Sequence, residues 1–197
     1  MNVVYTNTRT MSTQNAKKTI SISRQAVDDP EPTIPLRTYS RRVLHAINLP
    51  LFGELADPCA AVELAEAAEA AGFDAFFVWD HVLSPVPGSW DVVDPWVVLS
   101  AIAVRTSSLR IGTMVTPLPR RRIGKLVRET VTLDRLSDGR LTLGLGAGGD
   151  GGREFSAFGE HSDAHTRAAM LDEGADLLLQ LWTGEFVHTR GGSRQSM

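Results

Sequence analysis

The sequence predicts an α/β fold built on a parallel sheet. Three observations carry that expectation: short apolar runs alternate with longer helix-forming stretches, an Asp-Pro pair opens two of those stretches, and a glycine closes three of them. Helices inserted between consecutive strands force parallel pairing with right-handed crossovers. Two architectures satisfy the pattern, an open doubly wound sheet and part of a (β/α)8 barrel. Both gather ligands at the C-terminal ends of the strands.

The elements follow in order. Residues 1–43 are polar, with no run at strand or helix spacing. The prolines of Asp29-Pro30-Glu31-Pro32-Thr33-Ile34-Pro35 would break either ladder. We expect a disordered extension, or one whose start is assigned too early, with Met11 as another candidate start. A basic, hydroxyl-rich targeting peptide is the competing reading. Leu44–Leu49 reads as the first strand. Asp57-Pro58 supplies a helix N-cap and first-turn proline, and the helix runs through Ala60–Ala71 to Gly72. Phe73–Trp79 is nearly continuous apolar sequence, as a doubly covered parallel strand requires. Asp94-Pro95 opens a helix to about Arg105, and Leu109–Thr116 is a third strand. Ile123–Leu136 is a helix with Leu126, Thr130 and Leu133 on one face and Ser137-Asp138-Gly139 as its stop. Leu141–Gly146 is a fourth strand, and Thr166–Trp182 a fourth helix closed by Gly184. The expected domain covers residues 44–192, with 193–197 as a C-terminal tail.

Composition narrows the function classes. Hydrophobic residues make up 43% of the 197 and charged residues 22%, with a formal net charge of −3. No basic field favours nucleic acid or an anionic membrane. Cys59 is the only cysteine, so no internal disulfide forms, which fits a reducing cytoplasmic setting. No stretch approaches the roughly 20 apolar residues that span a bilayer.

Three strand ends carry chemistry: Asp80-His81, Thr116-Pro117 and Gly146-Ala147-Gly148-Gly149. Histidine exchanges a proton near neutral pH, and a neighbouring acid can fix its tautomer. The bland alternative is a His81 that only closes the strand end. Gly144–Gly149 satisfies G-x-G-x-x-G, but a dinucleotide site needs a helix to begin at once, and none begins before about Thr166. A flexible turn is one alternative. Backbone lying flat against a planar ring, where a Cβ would collide, is another. His161 and His165, four apart with Asp163 between them, invite a metal reading but lack a third convergent ligand, so no metal site is expected. Cys59, at a helix start, reads as a small buried residue. Arg120-Arg121-Arg122 with Lys125 and Arg128 reads as a solvated helix face. Trp79, Trp90, Trp96 and Trp182 read as core and interface bulk.

Taken together, the segments resemble one family, the luciferase-like flavin-dependent oxidoreductases. The resemblance runs from Ala46 to Gly192. It rests on Ala67–Asp74, Trp79-Asp80-His81, Ile111–Pro117, Glu129–Arg140, Leu143–Gly148, Glu154-Phe155 and Met170–Gly174. It implies a TIM-type (β/α)8 barrel, here truncated to about four β/α units. It also implies monooxygenation of, or hydride transfer to, a small organic substrate, with reduced FMN or a reduced deazaflavin. By position, His81 looks like the family's active-site histidine and Asp80 like a cofactor contact. Val115 and Thr116 match a strained bulge behind the ring, and Gly146, Ala147 and Gly148 the loop bordering the cofactor.

Two features depart from the family. Ile123-Gly124 stands where a proline usually opens the third helix. A whole barrel takes about 250 residues, and the half that holds the flavin phosphate in this family has no counterpart here. The first and fourth strands are then expected to be unpaired edges, favouring a homodimer or other self-association. Two copies closing one barrel and a truncated gene product both fit that length. The competing functional readings are a catalytically incompetent fragment or interaction remnant, and a nicotinamide-binding doubly wound domain.

Overall fold

The computed structural model describes residues 2–5, 43–85, 88 and 91–184. In chain order the elements are β1 (Asn2–Tyr5), β2 (Ala46–Leu49), α1 (Pro58–Ala70), β3 (Ala75–Val78), α2 (Pro95–Arg105), β4 (Arg110–Pro117), α3 (Ile123–Leu136), β5 (Leu141–Gly146) and α4 (Ala164–Trp182). Aspartates start three of the four helices. The Asp57 carboxylate accepts from the amides of Cys59 and Ala60, Asp94 from Trp96 and Val97, and Asp163 from His165 and Thr166. Each satisfies two N–H groups that have no partner inside the helix. Gly184, at φ +81°, stands where α4 ends, a conformation that costs glycine little.

All neighbouring strands are parallel, in the order β1-β5-β4-β3-β2. From β2 to β5 the order never reverses. The helices pack side by side in sequence, α1 on α2, α2 on α3 and α3 on α4. One core joins them to the sheet: Phe76, Val78, Ile111, Leu141, Leu143 and Leu145 meet Ala65, Leu99, Ile102, Leu126, Leu133, Leu171 and Leu178. A doubly wound sheet reverses its strand order and carries helices on both faces. A single helical layer following an unreversed sheet is barrel-type architecture, in four β/α units.

Two side chains bind the N-terminal end of the sheet to the helices. Glu69 of α1 accepts from the amides of Ser107, Ser108 and Leu109 at 3.0, 2.7 and 2.8 Å. Arg140 donates to the carbonyls of Ala103, Thr106, Leu109 and Ser137 and to the Thr106 hydroxyl. One guanidinium therefore ties the end of α2 and the turn into β4 to the end of α3.

The structure differs from the sequence reading at the sheet's edge. Asn2–Tyr5, expected to lie in an unstructured extension, is a strand paired with β5, from Asn2 against Thr142 to Tyr5 against Leu145. The fourth predicted strand is therefore not an edge. An open strand accepts any extended segment through its backbone groups, so such pairing needs no apolar spacing. The outer edge of β2 has no neighbour among the described residues. Expectations for residues 6–42, Trp90, the segment 185–190 and the tail 193–197 lie outside the described residues. No helix among the described residues is long and apolar enough to cross a membrane.

Candidate functional site

Because β2 to β5 are parallel, their C-terminal ends share one rim. Val78 ends β3 and Trp79-Asp80-His81 follows at once. Gly146 ends β5 opposite Pro117 of β4. Between Thr113 and Thr116 the register of β4 against β5 shifts, and the Met114–Val115 peptide within that shift is cis.

Beneath the rim lies a buried network of two arginines and two carboxylates. Arg120, on the turn after β4, donates through Nη2 to the Asp80 carbonyl at 2.8 Å and to Asp80 Oδ1 at 3.0 Å. Its Nη1 donates to Glu154 Oε1 at 3.0 Å. Arg121 also donates to Asp80 Oδ1. The Asp80 side chain is fully buried, and its Oδ2 has no hydrogen-bond partner among the described residues. Glu154, on the loop after β5, does more than meet Arg120. Its Oε1 accepts from the amides of Val82 and Leu83, and its Oε2 lies 3.0 Å from His81 Nδ1. Burial alone would push the Glu154 carboxyl up. The hydrogen bonds from His81 and the Val82 amide, together with the Arg120 charge, overcome burial and hold it at about 2.

The His81 ring is 27% exposed. Phe52 stands edge-on to it at 5.5 Å, and Trp79 is tilted against it at 5.7 Å. The imidazole thus has one nitrogen on a carboxylate and its ring in an aromatic corner open to the rim. At the end of β4, the half-buried Val115 side chain covers the β5 glycines. A Cβ on Gly146 would fall 2.8 Å from Val115 Cγ2, and one on Gly144 would fall 3.1 Å from Val115 Cγ1. Gly148 has φ +68°, and a Cβ there would lie 2.9 Å from both Phe155 and Pro117. Side chains packed this closely over the turn favour glycine, and the positive φ at Gly148 adds to that preference.

The structure therefore brings His81, Asp80, Val115, Thr116, Gly146, Ala147 and Gly148 to the same end of the sheet. They do not all face outward. Thr116 is buried, with its hydroxyl 2.8 Å from that of Thr113, and the Asp80 carboxylate is held by guanidinium groups. His81, Val115, Ala147 and Gly148 form the accessible part, while Gly146 is buried. An apolar wall, an aromatic corner and a histidine edge suit a planar heterocycle with polar margins, so these residues fit an isoalloxazine-type ring.

Three readings are corrected. Arg120 and Arg121 are not a solvated helix face: their side chains are 6% and 18% exposed and precede α3, while Arg122, Lys125 and Arg128 are exposed. Trp79 is a rim residue, 37% exposed, whereas Trp96 is core. Cys59 is exposed. Glu154 and Arg120 are the residues that sequence reasoning missed as parts of the site. A signal existed, since Arg120 follows Pro117-Leu118-Pro119, an apolar turn that would take its neighbour into the core. His161 and His165 are exposed, and among the described residues no cluster of three metal-ligating side chains forms.

A family model described as luciferase-like monooxygenase matches residues 43–196. An F420-dependent glucose-6-phosphate dehydrogenase from Nakamurella multipartita is 35% identical over 142 residues, covering 68% of this chain and 40% of that protein. Among solved structures, an F420-dependent secondary alcohol dehydrogenase in complex with an F420-acetone adduct superposes with a TM-score of 0.68 at 25% identity. That match covers 76% of this chain and 45% of the other. The monooxygenase RslO1 from Streptomyces bottropensis gives 0.66 at 28% identity, over 77% of this chain and 46% of the other. The chain spans less than half the length of these relatives.

Proposed function

The chain belongs to the luciferase-like monooxygenase family, and from that premise we propose that it is an oxidoreductase using a deazaflavin or flavin on a small organic substrate. One observation carries the reading: His81, the Val115 wall and the β5 glycine turn share one rim, with His81 bound to the loop that leaves β5. When bound, the cofactor supplies the hydride or electrons. The protein's part is to hold the ring on Val115 and the glycine backbone, to shed water from that face, and to manage a proton at His81. The F420-dependence of similar dehydrogenases favours reduced deazaflavin with hydride transfer. Reduced FMN with oxygenation is the alternative.

A second reading, a catalytically incompetent relative that binds cofactor poorly, draws on the burial of the Asp80 carboxylate, the expected cofactor contact, against Arg120 and Arg121. Titration with F420 and with FMN, followed by ring fluorescence, separates the two. The proposal expects saturable quenching at micromolar protein, stronger with F420. Absence of quenching by both ligands would favour the incompetent reading. In an active preparation, His81→Ala is expected to lose turnover more than cofactor affinity, and loss of affinity alone would remove the proposed catalytic role.

A further inference from the structure

The Glu154 carboxylate is ionised, so it can only accept hydrogen bonds. It already accepts from two amides and from Arg120, and its remaining oxygen faces His81 Nδ1 at 3.0 Å. An acceptor there requires that Nδ1 carry the hydrogen. A neutral imidazole bears one N–H, so Nε2 is left as the bare nitrogen.

We propose that Glu154 is a positioning residue: it locks His81 in the Nδ1–H tautomer and leaves Nε2 as the single proton-exchanging atom on the rim. Arg120 is the second part of the device, because it bonds Glu154 and Asp80 at once and anchors the carboxylate to the end of β3. When Nε2 takes a proton from a reacting group, the imidazolium forms against a carboxylate already in place, and returning the proton restores the neutral ring. The same contacts fix direction as well as protonation. The amides of Val82 and Leu83 hold the loop after His81, while Phe52 and Trp79 set the ring plane. This role for Glu154 rests on the proposed function only in assigning His81 a proton-transfer task; the tautomer stands independently.

The test is long-range nitrogen–proton NMR on protein labelled with 15N-histidine, at a pH where the histidines are neutral. His81 is expected to show a protonated Nδ1 and an unprotonated Nε2. Glu154→Gln, whose amide offers both a donor and an acceptor, is expected to give a mixture of tautomers, and Glu154→Asp to retain a majority of the Nδ1–H form. An Nε2–H ring in the unmodified protein would overturn the proposal whether or not the variants fold. So would a folded Glu154→Gln protein with the tautomer unchanged. F420 quenching on the same samples keeps the two ideas apart: its absence would count against the cofactor reading, and the tautomer result would still decide the role of Glu154.

Discussion

Arg120 and Asp80 are 40 residues apart in sequence, and one guanidinium nitrogen of Arg120 reaches both the backbone carbonyl and the carboxylate of Asp80, at 2.8 and 3.0 Å. The contact ties the end of β3 to the turn after β4 and keeps the loop carrying His81 against the sheet. Both side chains are almost wholly out of water. A buried pair of this kind adds less net stability than its Coulomb attraction suggests, and Arg121 shares the same Asp80 oxygen.

Arg120→Ala is accordingly expected to destabilise the fold by about 1–3 kcal/mol, since both carboxylates lose a charged hydrogen bond but keep other partners. Arg122→Ala, at an exposed neighbour, is expected to change stability by less than about 0.5 kcal/mol. Urea unfolding midpoints measure both. Equal effects would mean that Arg120 is solvated.

Glu69 predicts an acid limb of stability. Burial alone would raise its carboxyl, but the amides of Ser108, Leu109 and Ser107 bring it from 4.5 down to about 2. A depressed carboxyl stabilises the fold fully above its unfolded value, near 4.5, and the gain is lost as pH falls from there towards 2. Glu69→Gln is expected to cost about 1 kcal/mol at neutral pH, given the partial exposure of the site, and to flatten the unfolding midpoint across that acid range. A wild-type slope in the variant would refute the assignment.

Val115 and Gly146 provide a packing test. Gly146→Ala places a Cβ 2.8 Å from Val115 Cγ2 and is expected to cost about 1–3 kcal/mol by overpacking. Adding Val115→Ala is expected to recover most of that, a coupling readable by a double-mutant cycle. At Gly149 a Cβ meets nothing within 4 Å, so Gly149→Ala is expected to leave stability unchanged. Additive effects of the first two substitutions would show that Val115 does not cover the glycine.

The outer edge of β2 lacks a neighbour among the described residues. Open edges invite pairing between chains, so we expect light scattering to report a dimer or larger species. A stable, cooperatively unfolding monomer would refute it.

Local patterns made most elements legible. The bounds of α3 and β5 are those expected, and the Asp57 and Asp94 caps sit where their Asp-Pro pairs placed them. Capping and hydrophobic period act within a few residues, so a linear reading finds them. The strand Asn2–Tyr5 was missed because its pairing with β5 depends on an edge more than 130 residues away.

The sequence by itself determined the β/α alternation and the strand ends where chemistry collects, His81 and the glycine turn among them. Only the tertiary structure decided what surrounds His81. Arg120, charged and two residues before the exposed Arg122, became buried because carboxylates 40 and 34 residues away on two other loops offered compensation. A charge leaves water only when its partner is already in position. That condition is set by chain folding in three dimensions, and no run of neighbouring residues encodes it.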